Sequence, residues 1–344
     1  MRRDEGHAPE LDTTGADPNA ESPKNPMSSE HDRVRMLAEL FGRDGAQSEV
    51  TLGIGDDAAL LKPTPGTLVW SIDTQVEEVH FRQEWMSLED IGFRATMAAL
   101  SDLGAMGARP LGVLSALVLP RALSDADLLA IARGQRAASA SLDTRIIGGN
   151  MTRGTTLSIT TTVLGIAERP VLRRGAGNDD LVWLSGDLGR AAAGLALRMA
   201  GISPRRDAEV AVDMAFRRPR ALLEAGQSAA GAGATALIDV SDGLTADLGR
   251  LARDSNVAIV LEPEALLDPT VSEVAATLSL DPFSLVLSGG EDYALVATAP
   301  RERPLLGFRR IGRTCSDLAP GIWIAAGDAA PTRLEERGYD HFSE

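Results

Sequence analysis

Apolar residues recur three or four positions apart at Val34, Leu37, Leu40 and Phe41, the spacing of a helix with one buried face. Ser28 or Ser29 stands where a hydroxyl can cap its first turn. The pattern then shortens: residues 67–72 read as a strand ending at Asp73. A long helix of small residues, about 88–106, follows a capping Ser87 and carries Ser101-Asp102. Gly107 ends it and Pro110 follows, the usual order of a helix stop. Residues 111–119 are an apolar run of strand length that stops at Pro120. A helix over 124–139, a strand over 144–147 ending at Gly148-Gly149-Asn150, and a strand over 157–166 complete the first half.

The second half repeats this grammar. Short buried strands are predicted over 181–184 and 235–238, a helix over 244–253 and a strand over 257–261. The sharp turn Ser288-Gly289-Gly290-Glu291-Asp292 precedes a strand over 293–298, and the Ala-rich helix over 190–200 reads as core packing. Between the halves, residues 167–180 hold Pro170, Gly175, Gly177 and a pair of arginines, a composition expected of a domain boundary. The expected organisation is a solvated tail over 1–28, a first domain over 29–167 and a second over 168–344. The tail is rich in Asp, Glu, Pro, Asn, Ser and Gly and lacks the apolar core of a secretory signal. Met27 precedes the first helix, so residues 1–26 are expected to be dispensable. Alternating strands and helices predict α/β or α+β layers in both halves.

Charge narrows the function. Lys+Arg number 34 and Asp+Glu 49, a formal net of −15, which argues against a basic surface for nucleic acid. The only lysines are Lys24 and Lys62, and no G-x-x-x-x-G-K-[ST] loop or V-A-I-K strand occurs. If nucleotide phosphates are handled, metal ions must supply most of the positive charge. No window approaches the ~18 apolar residues of a membrane span. The single cysteine, Cys315, excludes an internal disulfide and a zinc cage, and points to a reducing cytoplasm.

The aspartates fall at junctions of very small residues: Gly55-Asp56-Asp57, Ser71-Ile72-Asp73, Ser101-Asp102, Asp239-Val240-Ser241-Asp242-Gly243 and Gly290-Glu291-Asp292. Small neighbours let a backbone approach a ligand and leave room for water. Mg²⁺ takes oxygen ligands and keeps waters and substrate phosphates, so converging carboxylates suit a cluster of such ions. Singly, each junction reads first as turn chemistry, because Asp bonds its own backbone. Asp102, inside a helix of small apolar residues, and Asp239, closing the run Ala236-Leu237-Ile238, are the ones that residue chemistry favours as ligands. His80 alone reads first as an ordinary surface or hydrogen-bonded histidine, and Arg173-Arg174 equally as a solvated linker pair.

Together the motifs go further. They are Gly53-Ile54-Gly55-Asp56-Asp57, Ser71-Ile72-Asp73-Thr74, Val79-His80-Phe81, the run from Leu100 to Ala108, Gly148-Gly149-Asn150, the run from Ile238 to Leu244, the run from Ser288 to Tyr293, and Gly338-Tyr339-Asp340-His341-Phe342. In this order, from about residue 33 to 343, the set resembles thiamine-monophosphate kinase, of the superfamily typified by aminoimidazole ribonucleotide synthetase. The resemblance implies a two-domain synthetase-like α/β fold. Its N-terminal sheet would pair across a homodimer, with a C-terminal α/β domain beside it and the active site between the domains. It implies direct in-line transfer of the γ-phosphoryl group of ATP, the co-substrate, onto thiamine monophosphate, assisted by several Mg²⁺ ions. By motif position, Asp57, Ser71, Ile72, Asp73, Asp102, Asn150, Asp239 and Asp242 would hold metal. Gly149, Asn150, Arg173 and Ser241 would meet ATP, and His80, Glu291 and Glu336 the thiamine monophosphate. No side-chain base is expected, because the attacking phosphate oxygen is already ionised. Two departures stand out: Asn150 occupies a position usually Asp, and Glu336 one that is usually a ring. Other expectations are an ATP-dependent relative acting on another acceptor, or, on the strength of Asn150, a binding homologue without turnover.

Overall fold

The computed structural model of the chain describes residues 29–42, 49–54, 56–327, 329–339 and 341. The expected tail over 1–28 lies outside the described residues, as do Gly55, Asp340 and Phe342. The first half runs α1 (Glu30–Phe41), β1 (Val50–Leu52), β2 (Leu60–Leu61), β3 (Thr67–Val76), α2 (Leu88–Ala105), β4 (Arg109–Leu119), α3 (Asp125–Ala140), β5 (Ile146–Arg153) and β6 (Ser158–Ala167). Ser29, Ser87 and Ser124 cap α1, α2 and α3, each hydroxyl accepting a first-turn N–H.

Four of these strands form a sheet in the order β3-β6-β4-β5. β6 pairs antiparallel with both β3 and β4, whereas β4 and β5 are parallel. α2 packs on one face: Leu100 and Leu103 join Val69, Val113 and Val163 in a common core. The opposite face is open and apolar. On β3, Leu68, Trp70 and Ile72 are 61, 70 and 64% exposed, alternating with the buried Val69 and the half-buried Ser71 and Asp73.

α2 is buried on nearly every side, which its run of Ala, Gly and Ser permits. It meets α3 almost backbone to backbone. A Cβ on Gly134 would lie 1.9 Å from the Glu89 carbonyl oxygen, and one on Gly92 2.1 Å from that of Ile131.

The second half runs β7 (Leu181–Ser185), α4 (Arg190–Met199), α5 (Asp207–Arg217), α6 (Leu223–Ala232), β8 (Ala236–Val240), α7 (Leu244–Ser255), β9 (Ala258–Leu261), α8 (Pro269–Leu278), α9 (Pro282–Ser288), β10 (Ala294–Ala299), β11 (Arg309–Cys315), β12 (Gly321–Ile324) and β13 (Thr332–Arg333). Its seven-stranded sheet has the order β13-β12-β9-β11-β7-β10-β8. Neighbours are antiparallel except β9 and β12. One core gathers Val182, Leu184, Ile238, Leu248 and Ile259 beneath α7. The halves are not independent: Ala221 and Leu223, at the start of α6, pack into the core of the first sheet. Asp90 at the start of α2 pairs with Arg217 (2.6 Å) and Arg218 (2.5 Å). Among the described residues no single helix is long and apolar enough to cross a membrane.

Several boundaries differ from the sequence expectation, among them that of β8, which runs on through Asp239 to Val240. β3 continues past Asp73 to Val76, because Asp73 pairs with Thr161 and the ladder runs on to Ser158. β5 contains Gly148-Gly149-Asn150 instead of ending at it, Gly149 lying opposite Ser115. Pro110 sits inside β4, next to an irregularity in its pairing with β6, and not in a connecting loop.

Gly134→Ala is expected to destabilise the protein by about 1–3 kcal/mol, overpacking outweighing the roughly 1 kcal/mol that Ala gains in helix propensity. Gly231→Ala, which meets nothing within 4 Å, serves as the control and is expected to lose no stability. Urea denaturation of both decides; equal stability would remove the close-approach argument.

Candidate functional site

A cavity of about 730 Å³ opens where β3 and α2 of the first half face β8, α4 and the turn before β10 of the second. Asp73, Asp102, Asp239, Ser241, Asp242, His80 and Glu291 all line it. α2 supplies the joint. Ser71 donates to Asp102 Oδ2 at 2.5 Å, and the adjacent Ser101 donates to Asp239 Oδ2 at 2.6 Å. Consecutive residues of one helix thus engage strands of both halves. Burial raises the Asp102 carboxyl above its ordinary range, with the charge of Asp73 adding to it. Burial pushes Asp239 up to about 7, reinforced by Asp102.

The turn after β8 is built by Asp247. Its Oδ2 accepts the backbone N–H groups of Ser241, Asp242 and Gly243 at 3.0, 3.0 and 3.1 Å. Arg250 bridges Asp247 Oδ1 and Asp242 Oδ2, each at 2.6 Å. Burial, then the charge of Asp242, raises Asp247 to about 6. Gly243 turns at φ 134°, where a side chain would be strained.

The opposite wall is made by His80, Glu291 and α4. His80 Nδ1 accepts the Val76 N–H at 3.1 Å, and burial lowers the His80 pKa. Glu291 pairs with Arg94 of α2. Asp292 is half-buried and accepts the N–H of Gly189 (2.6 Å) and of Ala191 (3.1 Å), which fixes the start of α4 and its apolar wall of Ala191, Ala192 and Leu195.

Sequence reasoning placed Tyr339 and His341 in a motif but gave their rings no role. The His341 ring lies 4.9 Å from that of His80 and 4.8 Å from that of Tyr339, and His341 and Tyr339 line the cavity. Glu336 does not reach it: its carboxylate pairs with Arg253 and its side chain lies against Gly249. Charge attraction to α7 draws it away, a correction to its expected place at the substrate. Arg173 pairs with Asp254 at 2.9 Å and lines neither cavity described here. Asp57, Gly149 and Asn150 are not brought to Asp73 and Asp102. They line a second cavity, of about 1000 Å³, on the open face of the first sheet with Trp70 and Leu114. β3 runs between the two cavities: Ile72 borders the first and Trp70 the second.

Among the described residues, no three His, Cys, Asp or Glu side chains are grouped so as to hold a metal unaided. The donors present are hydroxyls and carboxylates, and a hard cation relieves the mutual repulsion of the carboxylates. They fit Mg²⁺ as an ion that completes its shell with water and ligand phosphate.

This architecture and its acidic cleft define the AIR synthase-related class. The model for the AIR synthase related protein N-terminal domain matches residues 55–167, and that for the C-terminal domain residues 177–308. A hydrogenase maturation protein, HypE, shares the fold at 19% identity with a TM-score of 0.72 over 92% of this chain and 96% of that one. Within the class the chain is similar to the thiamine-monophosphate kinase of Mycobacterium tuberculosis, 38% identical over 273 residues, which span 77% of this chain and 79% of that protein. It is 33% identical over 301 residues to that of Pyrococcus abyssi, spanning 84 and 91%. The crystal structure of the Stenotrophomonas maltophilia enzyme superposes with a TM-score of 0.75 at 33% identity, over 87 and 96% of the two chains. AaThiL complexed with AMPPCP and TMP gives 0.75 at 29%, over 91 and 97%. The chain belongs to the thiamine-monophosphate kinase family, kinases of the transferase class.

Asp292 sets a pH dependence. Its ordinary pKa of 3.8 rises to about 7 on folding, mainly through burial. Its stabilising contribution is therefore complete below 3.8 and is lost as pH rises through about 7. Asp292→Asn is expected to flatten the fall in unfolding free energy between these values, followed by urea titrations at several pH values. An unchanged slope would show that Asp292 ionises freely.

Proposed function

We propose that the chain transfers the γ-phosphoryl group of ATP to thiamine monophosphate, giving thiamine diphosphate and ADP. The convergence of Asp73, Asp102, Asp239 and Asp242 with His80 and Glu291 on one cavity between the two halves carries this reading. An oxygen of the acceptor phosphate forms the new P–O bond, and the bond from the γ-phosphorus to the β,γ-bridging oxygen breaks in line with it. The attacking oxygen is already ionised near neutral pH, so no side chain has to remove a proton. The difficulty is bringing two anions together, and positioning with charge neutralisation is most of catalysis in such transfers.

Asp73, Asp102, Asp239 and Asp242 would hold Mg²⁺, with Ser71 and the Ile72 backbone beside them. Bound Mg²⁺ supplies the positive charge that two lysines cannot. Ser241, its N–H taken up by Asp247, would offer its hydroxyl to ATP. His80 and Glu291 border the acceptor, and the rings of Tyr339 and His341 suit its flat heterocycles better than the diverted Glu336. Asp57, Gly149 and Asn150 extend the nucleotide and metal contacts into the second cavity. Arg173 reaches ATP only by leaving Asp254. With its lone Cys315, the protein works in the reducing cytoplasm. Domains over 29–167 and 168–344 frame the cleft.

The open face bearing Leu68, Trp70 and Ile72 is read as a homodimer contact, a second copy covering it and the second cavity. Trp70→Glu is expected to give a monomer in sedimentation experiments. A wild-type chain that is monomeric at working concentration contradicts the contact.

Incubation with ATP, Mg²⁺ and thiamine monophosphate is expected to yield thiamine diphosphate. Asn150→Asp is expected to raise activity severalfold at limiting Mg²⁺, because it restores a charged metal ligand. Binding of both ligands without product would favour the homologue without turnover, the reading that Asn150 supports.

A further inference from the structure

Arg94 is among the largest fully buried side chains of the protein. Arginine is rarely buried without a partner, because desolvating its charge costs several kcal/mol. Arg94 projects from α2 of the first half, and its hydrogen-bond, ring and ion-pair partners, Phe216 and Glu291, lie in the second, while the charge of Asp73 in β3 also acts on it. Nη1 donates to the backbone carbonyl of Phe216 in α5, the guanidinium carbon lies 4.8 Å over the Phe216 ring, and Nη2 pairs with Oε2 of Glu291. Nε and Nη2 have no hydrogen-bond partner of good geometry, so the ion pair carries much of the compensation.

Glu291 is held from several sides. Its backbone has φ 67°, in the left-handed region that a non-glycine residue adopts at a cost, and Tyr293 repeats this at 50°. The Glu291 N–H bonds the Ser241 carbonyl at 2.7 Å and the Tyr293 N–H that of Val240 at 2.9 Å. The main chain of this turn is therefore tied to the loop carrying Ser241 and Asp242. Among the described residues the Glu291 carboxylate has one ion-pair partner, Arg94. Where that carboxylate points along the cavity wall depends on where the guanidinium sits.

We infer that Arg94 is a positioning residue for the acceptor substrate, fixing the Glu291 carboxylate between α2 and α5 at the wall of the cavity. This rests on the reading of that cavity as the thiamine monophosphate site. A cationic heterocycle bearing N–H donors is the chemistry that a fixed carboxylate recognises. Lysine cannot take over: a single ammonium lacks the planar fork that spans the Phe216 carbonyl and Glu291 while stacking on the ring.

The test compares wild type, R94K, E291Q and the double variant by calorimetric binding of thiamine monophosphate, by KM for each substrate, by kcat and by thermal midpoint. R94K is expected to weaken acceptor binding and raise its KM about tenfold, with KM for ATP and kcat within about threefold of wild type. In the double variant R94K is expected to add little to E291Q, because it acts through that side chain. R94Q, which keeps N–H donors without the charge, decides by the same criteria if R94K does not fold. Unchanged acceptor affinity, additive effects in the double variant, or losses for both substrates that track the thermal midpoint would each overturn the inference. A wild-type protein that neither binds nor phosphorylates thiamine monophosphate would instead overturn the functional reading beneath it.

Discussion

Carboxylates held together out of water repel one another, and the seam between the two halves of this chain is organised around that cost. Asp102 and Asp239 are both raised by burial, and Asp102 adds to the shift of Asp239. Their hydroxyl partners, Ser71 and Ser101, each give one hydrogen bond, which orients a carboxylate without neutralising it. The arrangement is stable enough to fold but electrostatically unfinished. Under the proposed function, divalent cations with phosphate ligands would complete it.

The same seam explains why α2 has its composition. A helix that must touch the first sheet, α3, α6 and the edge strand β8 has no free face for large or charged residues. The exceptions are functional in position. Asp90 meets Arg217 and Arg218, Arg94 meets Glu291, and Asp102 faces the cavity. Asp90, Arg94 and Ser101 each meet a partner across the boundary, so packing and electrostatics fix the same alignment of the halves.

Local signals were legible. The serines before α1, α2 and α3 and the apolar spacing behind them locate those helices, because capping and periodicity lie within a few residues. The starts of α8 and α9 carry comparable signals, Asp268-Pro269 and Asp281-Pro282, which the sequence reading passed over. Strand ends were not legible: Asp73 and Asn150 look like loop residues, and only pairing with Thr161 and Ala116 keeps them in strands. In the site, the small-residue junctions pointed to the acidic cluster, whereas the diversion of Glu336 depends on Arg253 in another element. Arg94 was invisible in the same way, its Phe216 partner standing 122 residues away.

The intimacy of α2 with α6 and β8 bears on how such a chain could be divided. Its two sheets use separate stretches of sequence, which would suggest interchangeable modules. Yet Ala221 and Leu223 complete the interior of the first sheet, and Ser101 reaches Asp239 in the second. A cut in the connection after Ala167 would leave two fragments, each with half of a shared interior bare to solvent. They would be complementing pieces of one folding unit, and shuffling either half with a distant relative would have to carry the matching surface along.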